Sequence, residues 1–288
     1  MFTTVIGSYP LKYGELGANA IRMAVQDQLE AGVDLVTDGQ TRYDMIEYFA
    51  RAIEGYQHEG KSIITGKIGR GRPDEFVQDF RLAKTLAPRV KGLITGPVTL
   101  VFSTRIKAPY SGYRDEQVYL DTADALLDIA HALESEGAEW IQIDEPYLSV
   151  GAPMDIARHA VERLAGGIRV PVAMHVCGAV GKIVPQLLTW KGLTLLSHGF
   201  MGDKNDDVLT STEFQHSNRM LGLGCIDTKS PEVESVDAVA ALIQRGLDLL
   251  SPERIVIHPD CGLRMLPRDA VQHKLRAMTE AARRFTQT

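Results

Sequence analysis

Short apolar runs rich in β-branched residues alternate with longer amphipathic stretches along the whole chain. Such runs are typical of β-strands, and the stretches between them have the apolar spacing of helices. The eight candidate strands are Thr3–Ile6, Asp34–Thr37, Gly92–Thr95, Trp140–Ile143, Pro171–Met174, Thr194–Ser197, Met220–Leu223 and Arg254–Ile257.

Four of the amphipathic stretches have apolar residues three and four positions apart, as a helix with one buried face requires. They are Ala18–Ala31, Asp121–Glu136, Asp237–Leu250 and Arg268–Phe285. Strand and helix in alternation predict a parallel sheet, because parallel strands need a crossover connection. Eight such units in 288 residues favour a single (β/α)₈ barrel domain over residues 1–288.

A doubly wound open sheet is the alternative fold. The first strand is followed by Gly7-Ser8-Tyr9-Pro10, which does not fit the glycine fingerprint of a dinucleotide-binding turn. Two segments interrupt the alternation. Gly60–Phe76 contains Ser62–Pro73, which resembles a hairpin inserted after the second helix, and Arg105–Glu116 is a long loop. Long loops on the functional face of a barrel often cover its site.

Composition narrows the choice of partners and compartment. The chain is 44% hydrophobic and 24% charged, with a net charge of −6 and no basic run, which argues against nucleic acid as the main partner. No apolar stretch is long enough to span a membrane, and residues 1–8 lack the pattern of a signal peptide. Three cysteines form no disulfide framework, so we expect the reducing cytoplasm.

Polar residues are concentrated where the predicted strands end. In a barrel the active site lies at the carboxyl ends of the strands, so these residues are expected to meet. The strand ends are Gly7-Ser8, Asp38-Gly39-Gln40, Gly96-Pro97, Asp144-Glu145-Pro146, His175-Val176-Cys177, His198-Gly199-Phe200, Cys225-Ile226-Asp227 and Pro259-Asp260-Cys261.

Two of the three cysteines accompany a histidine in a pattern that suits zinc. His175 and Cys177 are two apart and point the same way on extended backbone, and Cys261 follows the last strand. One imidazole and two thiolates would leave zinc an open coordination position. The structural alternative is two small buried thiols and a hydrogen-bonded core histidine. Cys225 has no nearby histidine, and we interpret it as a packed free thiol.

Two pairs of charged residues are further candidates. Asp144 and Glu145 are adjacent on a strand end, so one can face the barrel mouth while the other caps the following loop. A carboxylate facing the mouth suits a ligand ammonium group. Asp227 and Lys229 are two apart and could share a face, where Lys229 could donate a proton or hold an anion; the alternative is a solvated lysine.

With these residues at its strand ends, the chain resembles the cobalamin-independent methionine synthase family in its short core form, which contains only the catalytic barrel. The resemblance extends from residue 4 to residue 262. The segments that carry it are Thr4–Pro10, Asp38–Met45, Thr95–Thr99, Gln142–Pro146, His175–Gly178 and Pro259–Gly262. It implies a zinc-dependent (β/α)₈ methyltransferase whose single Zn²⁺ binds the homocysteine thiol.

The resemblance also implies roles for individual residues. The family's zinc ligands correspond to His175, Cys177 and Cys261. The segment that holds the substrate carboxylate corresponds to Ile6, Gly7 and Ser8. Asp144 corresponds to an aspartate that binds the substrate ammonium. Our own hypothesis adds that Asp227 and Lys229 act catalytically by tuning charge near the metal.

The chain departs from the family pattern at the metal and at the amino-acid site. Gly199 stands where the long enzymes have a fourth zinc ligand, a glutamate, so that water, substrate or His198 would complete the site. Gln40 replaces a second carboxylate of the ammonium site, and Lys229 lies near the position of a proposed proton-donating histidine.

Two departures concern the methyl donor. Phe102 and Ser103 occupy the place of a tryptophan that stacks on folate, and Val150 replaces a glutamate that contacts folate. These departures argue against polyglutamyl folate as the donor, and the resemblance to core-form relatives implies methylcobalamin or a corrinoid protein instead. The hypothesis is a methyltransferase that forms methionine from homocysteine. One alternative is alkyl transfer to another thiol such as coenzyme M, and a second is a non-catalytic zinc-binding or corrinoid-carrier protein.

Overall fold

The computed structural model describes residues 1–11, 17–202 and 205–285. Its strands are Phe2–Thr3 (β1), Tyr56–His58 (β2), Ser62–Ile64 (β3), Lys91–Thr95 (β4), Arg105–Ile106 (β5), Trp140–Asp144 (β6), Val172–His175 (β7), Leu195–Gly199 (β8), Met220–Gly224 (β9) and Ile255–His258 (β10). Its helices are Ala18–Glu30 (α1), Met45–Ala52 (α2), Asp74–Leu86 (α3), Pro97–Phe102 (α4), Glu116–Ser135 (α5), Met154–Gly167 (α6), Val184–Leu187 (α7), Thr212–His216 (α8), Val236–Leu249 (α9) and Arg268–Arg283 (α10).

The molecule is an α/β fold built on a curled parallel sheet. Within the described residues, seven strands pair in the order β1-β10-β9-β8-β7-β6-β4, every neighbour parallel. The carboxyl ends of these strands therefore meet at one edge, where the predicted site residues follow them. A parallel sheet covered by helices explains why strands such as β4 and β6 are buried along their whole length.

The predicted second strand, Asp34–Thr37, is not a full strand. Leu35 bridges Thr4, and Val36 bridges Val90, so this segment touches both edges of the sheet through isolated parallel bridges. Side chains occupy the backbone groups that a longer ladder would use. The Asp34 carboxylate accepts from the Thr3 amide at 2.8 Å, and the buried Gln28 amide bonds both the N–H and the C=O of Thr37.

The inserted hairpin lies earlier than its sequence suggested. Tyr56–His58 pairs antiparallel with Ser62–Ile64, and the latter strand pairs in parallel with Arg105–Ile106. The segment expected to be a long loop therefore begins with a short strand. The helix expected at Asp121–Glu136 starts at Glu116, because the Asp115 carboxylate caps it by accepting from the Gln117 amide.

The core is apolar and continuous around the sheet. Large side chains such as Phe49, Tyr119, Trp190 and Phe214 are fully or almost fully buried between the sheet and its helices. No helix in the described part of the chain combines the length and the apolar character needed to cross a membrane.

Candidate metal centre and substrate cleft

One cleft at the carboxyl ends of the strands collects most of the residues singled out by the sequence. It is lined by Ile6, Gly7, Ser8, Gln40, Asp144, His175, Cys177 and Cys261. These residues follow strands β1, β6, β7 and β10 and the bridged segment after α1, so the sheet gathers groups that are far apart in sequence. Met45, Pro146 and Met265 supply apolar lining to the same cleft.

The histidine and the two cysteines form a compact group at one end of the cleft. One ligand atom from each lies within 4.8 Å of the others, and among the described residues no further His, Cys, Asp or Glu joins them. Nε2 of His175 lies 3.0 Å from Sγ of Cys177, which lies 2.8 Å from Sγ of Cys261. One ring nitrogen and two sulfurs converging on one point are the donor set that zinc prefers.

A chain of hydrogen bonds behind His175 fixes which ring nitrogen faces the sulfurs. The Pro259 carbonyl can only accept, so Nδ1 of His258, 2.7 Å away, carries the hydrogen. Burial lowers the pKa of His258 to about 3, so its ring is neutral and Nε2 accepts from the Ser197 hydroxyl at 2.8 Å. Ser197 then accepts from Nδ1–H of His175 at 2.9 Å. The lone pair of His175 Nε2 is therefore directed at the sulfurs, as a metal ligand requires.

The two kinds of cysteine differ in their electrostatic surroundings. A hydrogen bond from the Cys177 thiol outweighs burial and lowers the pKa of Cys261 below its ordinary value, which favours its thiolate. Cys225 is fully buried, and burial raises the pKa of its thiol well above its usual value. Cys261 therefore has the character of a metal ligand, and Cys225 that of a small core residue.

Gly199 stands at the position expected for a fourth zinc ligand, and the space next to it is filled by Asp260. A Cβ atom on Gly199 would lie 2.7 Å from Cγ of Asp260, so a longer side chain does not fit there unless Asp260 moves. The Asp260 carboxylate accepts from the amides of Phe200 and Met201 at 2.9 and 3.2 Å. His198 is buried on the neighbouring position, with Nδ1 3.2 Å from the Val176 carbonyl, and it does not belong to the metal-binding group.

The adjacent carboxylates Asp144 and Glu145 point to different places. Asp144 lines the cleft, whereas Glu145 is fully buried and accepts from the amides of Val98 and Thr99 at 2.9 and 2.7 Å. It thereby caps the first turn of α4. Gly96 is required there, because a Cβ would lie 2.2 Å from the Glu145 carboxyl group. Burial raises the pKa of Asp144 to about 6 and that of Glu145 to about 7.

Gln40 lies in the cleft in a backbone conformation that side chains rarely adopt. Its φ is 45°, and it is the one non-glycine residue with a positive φ among the described residues. Its amide donates to the Asp38 carboxylate at 2.8 Å, and its carbonyl accepts from the Arg264 guanidinium. Such strain persists where neighbours hold the backbone, and it is concentrated at functional sites.

The segment expected to hold the substrate carboxylate is packed against the second cysteine loop. The Leu263 amide donates to the Ser8 carbonyl at 2.7 Å, and a Cβ on Gly262 would lie 2.2 Å from Ser8 Oγ. Only glycine allows this approach. The loop that carries Cys261 and the segment Ile6–Ser8 are therefore fixed relative to each other.

The structure does not bring Asp227 and Lys229 into this cleft. Asp227 Oδ1 accepts from the Lys229 amide at 2.8 Å, which closes a local turn, and the Asp227 amide donates to Glu234. The Lys229 side chain is exposed. Their expected catalytic role stays a prediction, and the structure gives it no geometric support.

Four buried polar residues beneath the cleft were not identified from the sequence. Lys91 donates to the Val5 carbonyl and to Gln142, while Ser197 and His258 support His175. The signal available was a polar side chain within or at the end of a largely apolar strand. Such a residue points to a partner inside the sheet, but the partner is visible only in the folded chain.

The curled parallel sheet thus carries two thiols and an imidazole at its carboxyl edge, a set of side chains that could hold a metal ion. Over residues 11–284 the chain matches the family described as cobalamin-independent synthase, catalytic domain. The chain belongs to this family and is a methyltransferase.

Similar proteins support the family assignment. The methionine synthase of Methanothermobacter marburgensis is 39% identical, with 99% of this chain and all of that protein covered. A 5-methyltetrahydropteroyltriglutamate–homocysteine methyltransferase of Thermosynechococcus vestitus is 30% identical, with 99% of this chain and 43% of the longer protein covered. Among solved structures, a B12-independent methionine synthase from Shewanella sp. W3-18-1 has the same fold, with a TM-score of 0.86 at 21% identity and 99% and 97% of the two chains covered.

Proposed function

We propose that this enzyme transfers a methyl group to the thiol of homocysteine and so forms methionine, with one zinc ion at His175, Cys177 and Cys261. The convergence of His175 Nε2 and two cysteine sulfurs at one end of the substrate cleft is the observation that carries the proposal. Relatives named methionine synthase that match nearly their whole length support it. We expect the protein to work in the cytoplasm, where its thiols stay reduced.

The sulfur end of the cleft prepares the nucleophile. A zinc ion bound there would act as a Lewis acid that lowers the pKa of a bound thiol, so that thiolate forms near neutral pH. The Ser197–His258 chain holds the His175 ring in the ligating tautomer. The substrate thiol would release its proton to solvent, and its sulfur would form the new bond to the methyl carbon. The donor would leave with the electron pair of the bond that held the methyl group.

The other end of the cleft orients the amino acid. Asp144 and Gln40 both line the cleft, and we expect Asp144 to accept from the substrate ammonium with Gln40 as a neutral second partner. Ile6, Gly7 and Ser8 also line the cleft, and the substrate carboxylate is expected there. Holding both ends of homocysteine would direct its thiol toward the cysteines and raise the rate through proximity.

We also propose that the segment Asp34–Thr37 completes an eight-stranded barrel. Its bridges at Leu35 and Val36 connect the two edge strands of the seven-stranded sheet. Backbone hydrogen bonds support this closure: Leu35 donates to the Thr3 carbonyl, Val36 to the Arg89 carbonyl, and Lys91 to the Val36 carbonyl, at 2.9–3.2 Å. The segment then acts as a short eighth strand between β1 and β4.

The donor has two candidates, each favoured by a different observation. The family description is cobalamin-independent, and one relative's name contains a pteroyltriglutamate donor, which favours a folate-type donor and gives methylcobalamin no support. The chain's own departures count against polyglutamyl folate and leave a corrinoid donor as the second candidate, because Phe102 and Val150 stand where the resemblance expects folate contacts. Phe102 lies among Tyr113, Tyr119 and Tyr147 at centroid distances of 5.7–6.2 Å, and Val150 is 72% exposed.

A single-turnover assay decides between these donors. Zinc-loaded protein is mixed with L-homocysteine and with methyl-tetrahydrofolate, its triglutamate form or methylcobalamin in turn, and methionine is measured. A further assay with coenzyme M as the methyl acceptor tests the alternative substrate. The neutral Gln40 favours this alternative, because it binds an ammonium group more weakly than a carboxylate does. Methylation of coenzyme M but not of homocysteine would replace the proposed acceptor.

The metal assignment is tested by exchanging single cysteines. We expect Cys261→Ser to lose most of its bound zinc and at least about 100-fold in methyl transfer, because serine offers no thiolate. Cys225→Ala is the matched control, since that thiol is buried away from the cleft, and it should keep one zinc per chain. A Cys261→Ser protein with full zinc content and full activity would refute the mechanism.

A further inference from the structure

A buried lysine lies beneath the amino-acid end of the cleft and has no role in the chemistry proposed above. Lys91 begins strand β4 and is only 3% exposed. Its Nζ lies 2.6 Å from the Val5 carbonyl and 2.5 Å from Oε1 of Gln142. Burying an ammonium group is costly, so a lysine held by neutral oxygens inside a sheet requires an explanation.

Lys91 determines the orientation of the Gln142 amide. Nζ of Lys91 donates to Oε1 of Gln142, so the amide oxygen faces Lys91 and the NH₂ group faces the other way. Both hydrogens of that NH₂ group have partners: Nε2 lies 2.7 Å from the Ile6 carbonyl and 2.6 Å from Oδ1 of Asp144. A reversed amide would place NH₂ against the ammonium group and oxygen against a carbonyl and a carboxylate.

One amide thus connects two parts of the substrate cleft that are far apart in sequence. Ile6 follows β1 and Asp144 ends β6, and these strands are not neighbours in the sheet. Lys91 fixes the carbonyl of Val5 and Gln142 fixes the carbonyl of Ile6, so consecutive peptide units of the first segment are held to the same support. The support therefore sets the spacing between Asp144 and Ile6.

We propose that Lys91 and Gln142 are positioning residues that set the distance between the ammonium-binding and carboxylate-binding sides of the cleft, and so select α-amino acid thiols over simpler thiols. This inference rests on the proposed function, since it assumes that an α-amino acid occupies the cleft. The ammonium and carboxylate groups of an α-amino acid are a fixed distance apart. They are both bound well only when the protein groups that contact them are held at a matching distance.

The test compares two ligands in two variants of the zinc-loaded enzyme. Lys91→Met removes the donor that orients the amide. Gln142→Glu keeps the shape and satisfies Lys91, but turns an acceptor oxygen toward Ile6 and Asp144. Titration calorimetry measures the affinity for L-homocysteine and for 4-mercaptobutanoate, which lacks the ammonium group. Circular dichroism and zinc content report folding and the metal site.

We expect the preference for L-homocysteine over 4-mercaptobutanoate to fall about 10-fold or more in both variants, because a bond to a charged group is being mispositioned. The affinity for 4-mercaptobutanoate and the zinc content should stay near wild type. The control is Lys274→Met, a change at another fully buried lysine, which pairs with Glu234 at 2.9 Å and does not line the cleft. It should lower thermal stability without changing the preference.

The inference is overturned if both variants fold and keep the wild-type preference, or if they weaken both ligands equally. It is also overturned if the wild type shows no preference for L-homocysteine. Binding that follows the expected pattern without any methyl transfer would refute the proposed function while leaving the positioning role intact.

Discussion

The sulfur end and the amino-acid end of the cleft are supported by different kinds of hydrogen-bonded groups. At the sulfur end, the imidazole beside the two thiols is supported by a chain of neutral hydrogen bonds through a serine and a histidine. At the amino-acid end, the Asp144 carboxyl group is supported by an amide and, behind it, a buried lysine. The first support selects a tautomer and so prepares a metal ligand. The second holds the Asp144 carboxyl group at a set distance from Ile6, as the binding of a zwitterion requires.

The largest effect on the amino-acid end alone is expected from Asp144→Asn. Asparagine keeps the size but loses the charge that attracts the ammonium group, so the KM for homocysteine should rise about 10- to 100-fold. Zinc content should be unchanged, since Asp144 is not one of the metal-binding residues. Steady-state kinetics with metal analysis checks this. Loss of zinc in this variant would show that the two ends are not separable.

A smaller effect, confined to the sulfur end, is expected from Ser197→Ala. The change removes the acceptor for Nδ1–H of His175, so the zinc dissociation constant should rise about 10- to 100-fold in chelator competition. Ser62→Ala is the matched control, because Ser62 is also buried and contacts Nδ1 of His58 at 3.0 Å in the hairpin. Equal zinc affinity in both variants would exclude the proposed role of Ser197.

The smallest effect concerns Glu145, the carboxylate that faces away from the cleft. Its pKa in the folded protein is raised to about 7 by burial, above its ordinary value of 4.5. The folded state therefore binds more protons than the unfolded state between pH 4.5 and 7, and this group's contribution to stability falls as pH rises through that range. Glu145→Gln should remove this part of the dependence.

Thermal melts at pH 5.5 and 8 measure the change. The difference between the two melting temperatures should shift by a few degrees between wild type and Glu145→Gln, while the KM for homocysteine stays constant. A change in KM as large as that of Asp144→Asn would contradict the separation of the two adjacent carboxylates.

The sequence predicted the elements of the cleft better than their support. The spacing of His175 and Cys177 and the strand-end position of Cys261 were enough to expect one metal group, since the carboxyl ends of parallel strands meet. The sequence also predicted that Asp144 and Glu145 would face different ways. Lys91 and Gln142 were missed because their partners are carbonyls of a distant segment, and a sequence gives no sign of those.

In two places, local side-chain hydrogen bonds replace the arrangement expected from the sequence. The segment Asp34–Thr37 was expected as a full strand, but the side chains of Asp34 and Gln28 take over backbone bonds there. Asp227 was expected at the cleft, but its carboxylate closes a turn with the Lys229 amide. Such local hydrogen bonds explain both differences, and the periodicity of apolar residues along the chain does not predict them.

The central claim is that the metal centre at His175, Cys177 and Cys261 receives the substrate thiol. X-ray absorption at the zinc edge of the loaded enzyme measures it most directly. Without substrate, we expect two sulfurs at about 2.3 Å and lighter ligands. Adding L-homocysteine should raise the count to three sulfurs. A count that stays at two while homocysteine is bound, or a zinc without sulfur ligands, would contradict the account.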